Sequence, residues 1–202
     1  MNNYTYNNIE SSRREYDALP SSEWRKDYFN EENGGFVVTH VLKGKDVMKR
    51  EGIAKEVLSC LALANNGKRI LRLPENTLDK IDFIMIDGQP YRNLLKFTAG
   101  SEKPKGYPDA YFEGQTWDFK TSTFKNEDSL RHAIKDGRKA DNIIFIVNSE
   151  KREIEMIEKA IKSEIGRRKK DNAWLELPDV YVLVQGEIVA VWNKKKAENL
   201  CL

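Results

Sequence analysis

Two carboxylates and a lysine carry the most chemistry in this chain: Asp109, Asp118 and Lys120, in the stretch Tyr107-Pro108-Asp109-Ala110-Tyr111-Phe112-Glu113-Gly114-Gln115-Thr116-Trp117-Asp118-Phe119-Lys120-Thr121. Two aromatic-rich segments joined at Glu113-Gly114 read as a β-hairpin. Side chains alternate along a strand, so Asp118 and Lys120 share one face while Trp117 and Phe119 take the other. Asp109 falls on the first strand, within cross-strand reach. Phosphodiester hydrolysis needs charge stabilisation on the phosphate, an activated water and support for the leaving oxygen. One or two Mg²⁺ (or Mn²⁺) ions held by carboxylates supply all three. Asp109 and Asp118 are then the metal ligands, with the Phe119 carbonyl as a further oxygen donor. Lys120 would orient or deprotonate the water, or stabilise the pentavalent phosphate. The competing reading is plain structure: Asp109 at a strand edge, Asp118 and Lys120 as an ion pair, Trp117 as core.

The flanking elements must hold that hairpin. The apolar residues Val47, Ile53, Ala54, Val57, Leu58, Leu61 and Ala64 recur at helical spacing, predicting a helix over residues 46–65 that ends at Asn65-Asn66-Gly67. Glu51 and Glu56 are its acids, and Glu56 borders the apolar face. Strands are expected at 36–41, 70–73 and 81–86, the last turning at Asp87-Gly88. Residues 98–106 form a partly basic loop before the hairpin. After it comes a basic helix from Asn126 or Glu127 to Lys139, with Leu130, Ala133 and Ile134 inward. Its outer residues include Arg131, His132, Lys135, Arg138 and Lys139; His132 and Lys135 are placed to face the hairpin. The apolar run Ile143-Ile144-Phe145-Ile146-Val147 reads as a central strand. A helix over 149–170, ending in Arg167-Arg168-Lys169-Lys170, and a hairpin over 180–192 turning at Gln185-Gly186 close the pattern, followed by an exposed Lys194-Lys195-Lys196 tail.

At 202 residues, 40% hydrophobic and 33% charged, the chain suits one α/β domain. The expected division is a polar leader over residues 1–33, with a short helix over 11–19, and a single domain over 34–202. A net charge of only +2 means that affinity for nucleic acid must come from local clusters. No apolar run is long enough to span a bilayer, and no basic segment leads into an apolar one at the N-terminus, so neither a membrane partner nor a signal peptide is expected. The two cysteines, Cys60 and Cys201, make no disulfide framework, and the two histidines add no zinc-ligand spacing. The cytoplasm is the expected site of action.

Pro108-Asp109, then Asp118-Phe119-Lys120 on the next strand, then a helix and an apolar strand, resembles the PD-(D/E)xK nuclease superfamily. The resemblance implies a restriction-endonuclease-like core, helix, three strands, helix, strand, around a mixed central sheet. That core spans residues 46–148 here, with the C-terminal helix and hairpin appended. It also implies Glu56 as a helix acid beside Asp109, Asp118 and Lys120. Ala133-Ile134-Lys135-Asp136-Gly137-Arg138-Lys139-Ala140-Asp141-Asn142-Ile143-Ile144 is similar to the helix-to-strand passage of C-terminal nuclease domains of contact-dependent inhibition and other polymorphic toxins, some of which cleave tRNA. Here Lys139 stands where those relatives often carry glutamine, and Asp118 where glutamate is commoner. The implied activity is metal-dependent hydrolysis of RNA, tRNA included, or DNA. Thr121, His132, Lys135 and Lys139 would contact substrate, and a cognate immunity protein would be a partner. Such toxins are tips of long secreted proteins, whereas this chain begins with its own methionine, as a stand-alone relative from a mobile element would. The alternative is an inactive nucleic-acid- or protein-binding module on the same fold.

Overall fold

The computed structural model describes residues 3–43, 51–75, 79–121, 126–147, 151–168, 177–184 and 186–193. Residues 46–50 of the expected first helix, Ser122, Thr123, Lys169, Lys170, Gln185, the Lys194–Lys196 tail and Cys201 lie outside them, as do the side chains of Glu51, Ile53, Ala54, Thr121 and Arg168. The chain forms two compact units, residues 1–116 and 117–202. Each is an α/β structure on a mixed set of strands.

The first unit contains α1 (Asn3–Ala18), β1 (Trp24–Phe29), β2 (Phe36–His40), α2 (Glu51–Asn65), β3 (Arg69–Arg72), β4 (Met85–Ile86), β5 (Gln89–Pro90) and β6 (Ala110–Phe112). β2 pairs antiparallel with β1 and parallel with β3, and β3 pairs antiparallel with β6. The stretch read from composition as a leader therefore carries a longer helix than the one expected over 11–19, and a strand as well. α1 packs through Tyr16, and β1 is anchored by Trp24; both are buried with Phe36, Val38, Leu71, Leu73 and Tyr111 in one core. The expected strand over 81–86 shrinks to β4. Ile81, Ile84 and Ile86 are all buried, but the N–H groups of Phe83 and Ile84 both donate to the Lys80 carbonyl, so this backbone turns instead of extending.

Paired strand positions put their side chains on the same face. Thr39 and Arg72 are partners, as are Val37 and Ile70, and these residues share the face on which α2 lies, with Cys60, Leu63 and Ala64 fully buried. The approach is close. A β-carbon on Gly35 would sit 1.9 Å from the Ala64 carbonyl oxygen, so only glycine lets the chain enter β2 against the last turn of α2. Gly67, at φ +80°, then stops α2 in the left-handed conformation that its Asn-Asn-Gly sequence predicts. β6 ends in a two-residue turn in which Glu113 (φ 53°) and Gly114 (φ 75°) both adopt positive φ, the type I′ geometry favoured by strand twist.

The second unit continues β7 (Gln115–Thr121) and adds α3 (Glu127–Asp136), β8 (Asn142–Ile146), α4 (Lys151–Arg168), β9 (Asp179–Val184) and β10 (Glu187–Trp192). β7, β8 and β9 run parallel in sequence, and β10 returns antiparallel on β9. Asn126 caps α3 by accepting from the Ser129 N–H at 2.9 Å. Leu130 and Ile134 of α3 and Ile157, Ala160 and Ile161 of α4 pack on Ile143, Phe145, Val180 and Val182. The basic helix stops three residues before Lys139. Residues 137–139 tighten into a 3₁₀ turn, and Gly137 allows it to press on β8, since a β-carbon there would lie 2.9 Å from Ile143 Cδ1.

Candidate active site

The register of β7 against β8 aligns Asp118 with Ile143 and Lys120 with Phe145. Both charged residues therefore lie on the apolar face that α3 and α4 cover, and Asp118 has no solvent exposure. A carboxylate in that position requires compensating charge. It receives two cations: Lys120 Nζ lies 2.8 Å from Oδ2, and Lys139 Nζ lies 2.9 Å from Oδ1. Lys139, carried in by the 3₁₀ turn, is thus joined to Asp118. His132 and Lys135 are exposed on α3 and take no part in these ion pairs. Phe119 faces away from Asp118 and is buried.

The first unit holds its own charged cluster. Glu56 on α2 and Arg72 on β3 meet beneath the helix: Arg72 Nη2 and Nε donate to Glu56 Oε1 at 2.9 and 3.2 Å. Arg72 Nη1 donates to Thr39 Oγ1 at 3.1 Å, and that hydroxyl donates to Asp27 Oδ2 at 2.5 Å. Lys43, only 4% exposed, completes the group. Its Nζ lies 3.3 Å from Glu56 Oε1, and it donates to Glu75 Oε1 at 2.9 Å and to the Asp109 carbonyl at 3.4 Å. Burial alone would push the Lys43 ammonium down, but the carboxylates of Glu56, Asp109 and Glu75 outweigh it and hold the pKa above the ordinary lysine value. Arg72 behaves alike: burial opposes its charge and Glu56 overcomes that opposition. Cys60 beside them is pushed up to about 12 by burial, so its thiol stays protonated near neutral pH.

Of the residues expected from sequence, Glu56 and Asp109 both gather at Lys43, while Asp118, Lys120 and Lys139 gather in the second unit. Comparison with protein-family models, curated proteins and solved structures returns no match for this chain. The geometry must stand alone. By donor type, Asp118 and strand carbonyls suit a hard divalent cation. As arranged, however, each Asp118 oxygen faces an ammonium group, and among the described residues no group of three or more His, Cys, Asp or Glu is placed to hold a metal. The described side chains therefore form no ready metal cage. No helix among the described residues is long and apolar enough to cross a membrane.

Sequence reasoning missed Lys43, Glu75 and Arg72. Arg72 did carry a signal: a cation inside the apolar run Ile70-Leu71-Arg72-Leu73 needs a buried partner. Lys43 and Glu75 carried none, because each is recruited from a loop by residues distant in sequence.

Proposed function

We propose that the protein is a nuclease, hydrolysing phosphodiester bonds of RNA or DNA on a restriction-endonuclease-like core, and that Mg²⁺ or Mn²⁺ is its cofactor. The observation that carries this reading is the buried Asp118 held between Lys120 and Lys139 on the helix-covered face of β7. An aspartate with no solvent exposure holds two ammonium groups side by side, and ammonium groups are suited to an anionic phosphate. Lys120 and Lys139 would then bind the scissile phosphate and stabilise the charge that builds on its oxygens. The order α2, β3, β6, β7, α3, β8, with the short β4–β5 pair inserted between β3 and β6, adds support, because it follows the order in which that core is assembled. Asp109 and Glu56 are the further acids this reading recruits. Nucleic acid is the proposed partner, with an immunity protein as a second and the cytoplasm as the place of action.

A second reading, an inactive binding module on the same fold, is favoured by one observation: both Asp118 oxygens are already engaged by lysines. Purified protein incubated with tRNA, plasmid and single-stranded DNA in Mg²⁺, Mn²⁺ or EDTA separates the two. Cleavage that Asp118→Asn or Lys120→Ala lowers by at least ~10²-fold, with folding intact by circular dichroism, is the expected result. Full cleavage by both variants overturns the assignment. Salt-sensitive binding without cleavage in any metal supports the binding module.

A further inference from the structure

We propose that a cleft beside β1 and β2 in the first unit is a binding site for a phosphate group. The cleft has a volume of about 400 Å³ and is lined by Ser21, Trp24, Arg25, Lys26, His40 and Lys43, with Val41 at one side. Its polar lining is therefore a hydroxyl, an imidazole, a guanidinium and two ammonium groups, all able to donate, and among the described residues no carboxylate lines it. Donors of this kind suit a tetrahedral oxyanion, and arginine in particular pairs with phosphate through parallel N–H bonds.

His40 is the most informative of them. It is 3% exposed, and its Nδ1 accepts from the Leu42 N–H at 3.2 Å. The ring proton therefore resides on Nε2, which has no hydrogen-bond or ion-pair partner among the described residues. Trp24 holds the imidazole edge-on, with centroids 5.1 Å apart. Burial pushes the His40 pKa below its ordinary value, so near neutral pH the ring offers a neutral N–H, which a phosphate oxygen can accept. An N–H on a side chain only 3% exposed, lining a cleft of basic groups with no protein acceptor among the described residues, suits an acceptor on a ligand.

The counter-charges around the cleft are Asp27, 2.6 Å from Arg25, Asp17, 3.9 Å from Lys26, and Glu56 and Glu75 on Lys43. Arg25 and Lys26 are exposed enough to exchange these partners for a ligand, because surface pairs of this type hold only weakly. The volume exceeds that of a bare phosphate and falls in the range of small-molecule sites, and Trp24 and Val41 provide an apolar wall for whatever the phosphate is attached to. Lys43 lines the cleft and also binds Glu56 and Glu75, so an anion there would act on the charge cluster beneath α2. The site does not depend on the nuclease reading.

The phosphate could belong to a nucleic-acid backbone, a mononucleotide or inorganic phosphate. Histidine-ring ¹H–¹⁵N spectra of the purified full chain in EDTA, titrated with inorganic phosphate, AMP and a short single-stranded oligonucleotide against sodium chloride at matched ionic strength, test the proposal without reading cleavage. The His40 Nε2 signal should shift saturably while His132 does not, and an Arg25→Gln/Lys26→Gln double variant should weaken binding by about tenfold or more. Tighter binding of AMP or the oligonucleotide than of inorganic phosphate assigns the source to a nucleotide, and equal binding assigns it to free phosphate. A His40 response matched by chloride, or a double variant that titrates like the parent with its melting temperature unchanged, overturns the proposal.

Discussion

Replacing Arg72 by methionine tests whether the charge network beneath α2 holds the first unit together. The guanidinium side chain is 4% exposed and makes two bonds to Glu56 Oε1 and one to Thr39. Removing one partner of a buried pair costs about 3–5 kcal/mol, because the other charge stays behind in a poor solvent for it. Glu56 retains Lys43 at 3.3 Å and a side chain 13% exposed, which places the expected loss at the lower end, about 3 kcal/mol. For a unit of this size that lowers the melting temperature by roughly 10 °C. Urea denaturation followed by circular dichroism, with separate transitions fitted for the two units, measures it. The double variant Arg72→Met/Glu56→Met provides the internal check. Lys43 keeps Glu75 at 2.9 Å, so no buried charge is stranded, and the double variant should be less damaged than the sum of the single variants by about 1–3 kcal/mol. A loss below about 1 kcal/mol for Arg72→Met, or strict additivity of the two changes, would refute the reasoning.

Two further outcomes follow from the same unit. Gly35→Ala should lower stability by at least ~2 kcal/mol, since its β-carbon would meet backbone at 1.9 Å and not a side chain that can swing away; unchanged urea midpoints would show that β2 and α2 separate easily. His40 titrates below its ordinary 6.5 in the folded chain, so the unfolded chain binds the proton first and stability falls as pH drops from 6.5 toward the depressed folded value. His40→Phe should flatten the stability profile in that window; a slope identical to the parent's would count against a buried neutral imidazole.

Elements with strong periodicity were legible. The helix at α2, the apolar strand at β8 and the returning hairpin of β9 and β10 follow from spacing that no neighbour overrides. β1 escaped because its sequence Trp24-Arg25-Lys26-Asp27-Tyr28-Phe29 contains a charged middle that makes sense only on a strand with an exposed face and a bulge between Lys26 and Tyr28. The isoleucines at 81, 84 and 86 misled because burial at a spacing of three and then two suits a turn running into a short strand as well as one extended segment. For the candidate site, alternation alone put Asp118 and Lys120 together. The resemblance singled out Lys139, but its pairing with Asp118 depends on Gly137 and a 3₁₀ turn, which local periodicity does not reveal. Buried cations such as Lys43 depend on partners assembled only by the fold.

The alternation of β7 has a bearing on how such chains diversify. Asp118 and Lys120 face α3 only because of the parity of their positions in the strand. One residue inserted or deleted between Gly114 and Asp118, with the start of β7 still held by the turn at Glu113-Gly114, would slip the register on β8 by one and turn Trp117 and Phe119 toward the helices and the charges to the opposite side. Two residues would restore the arrangement. In distant sequences descended from this one, length changes ahead of Asp118 should therefore survive in even steps, leaving a record of the charged face even where the charged residues themselves have been replaced.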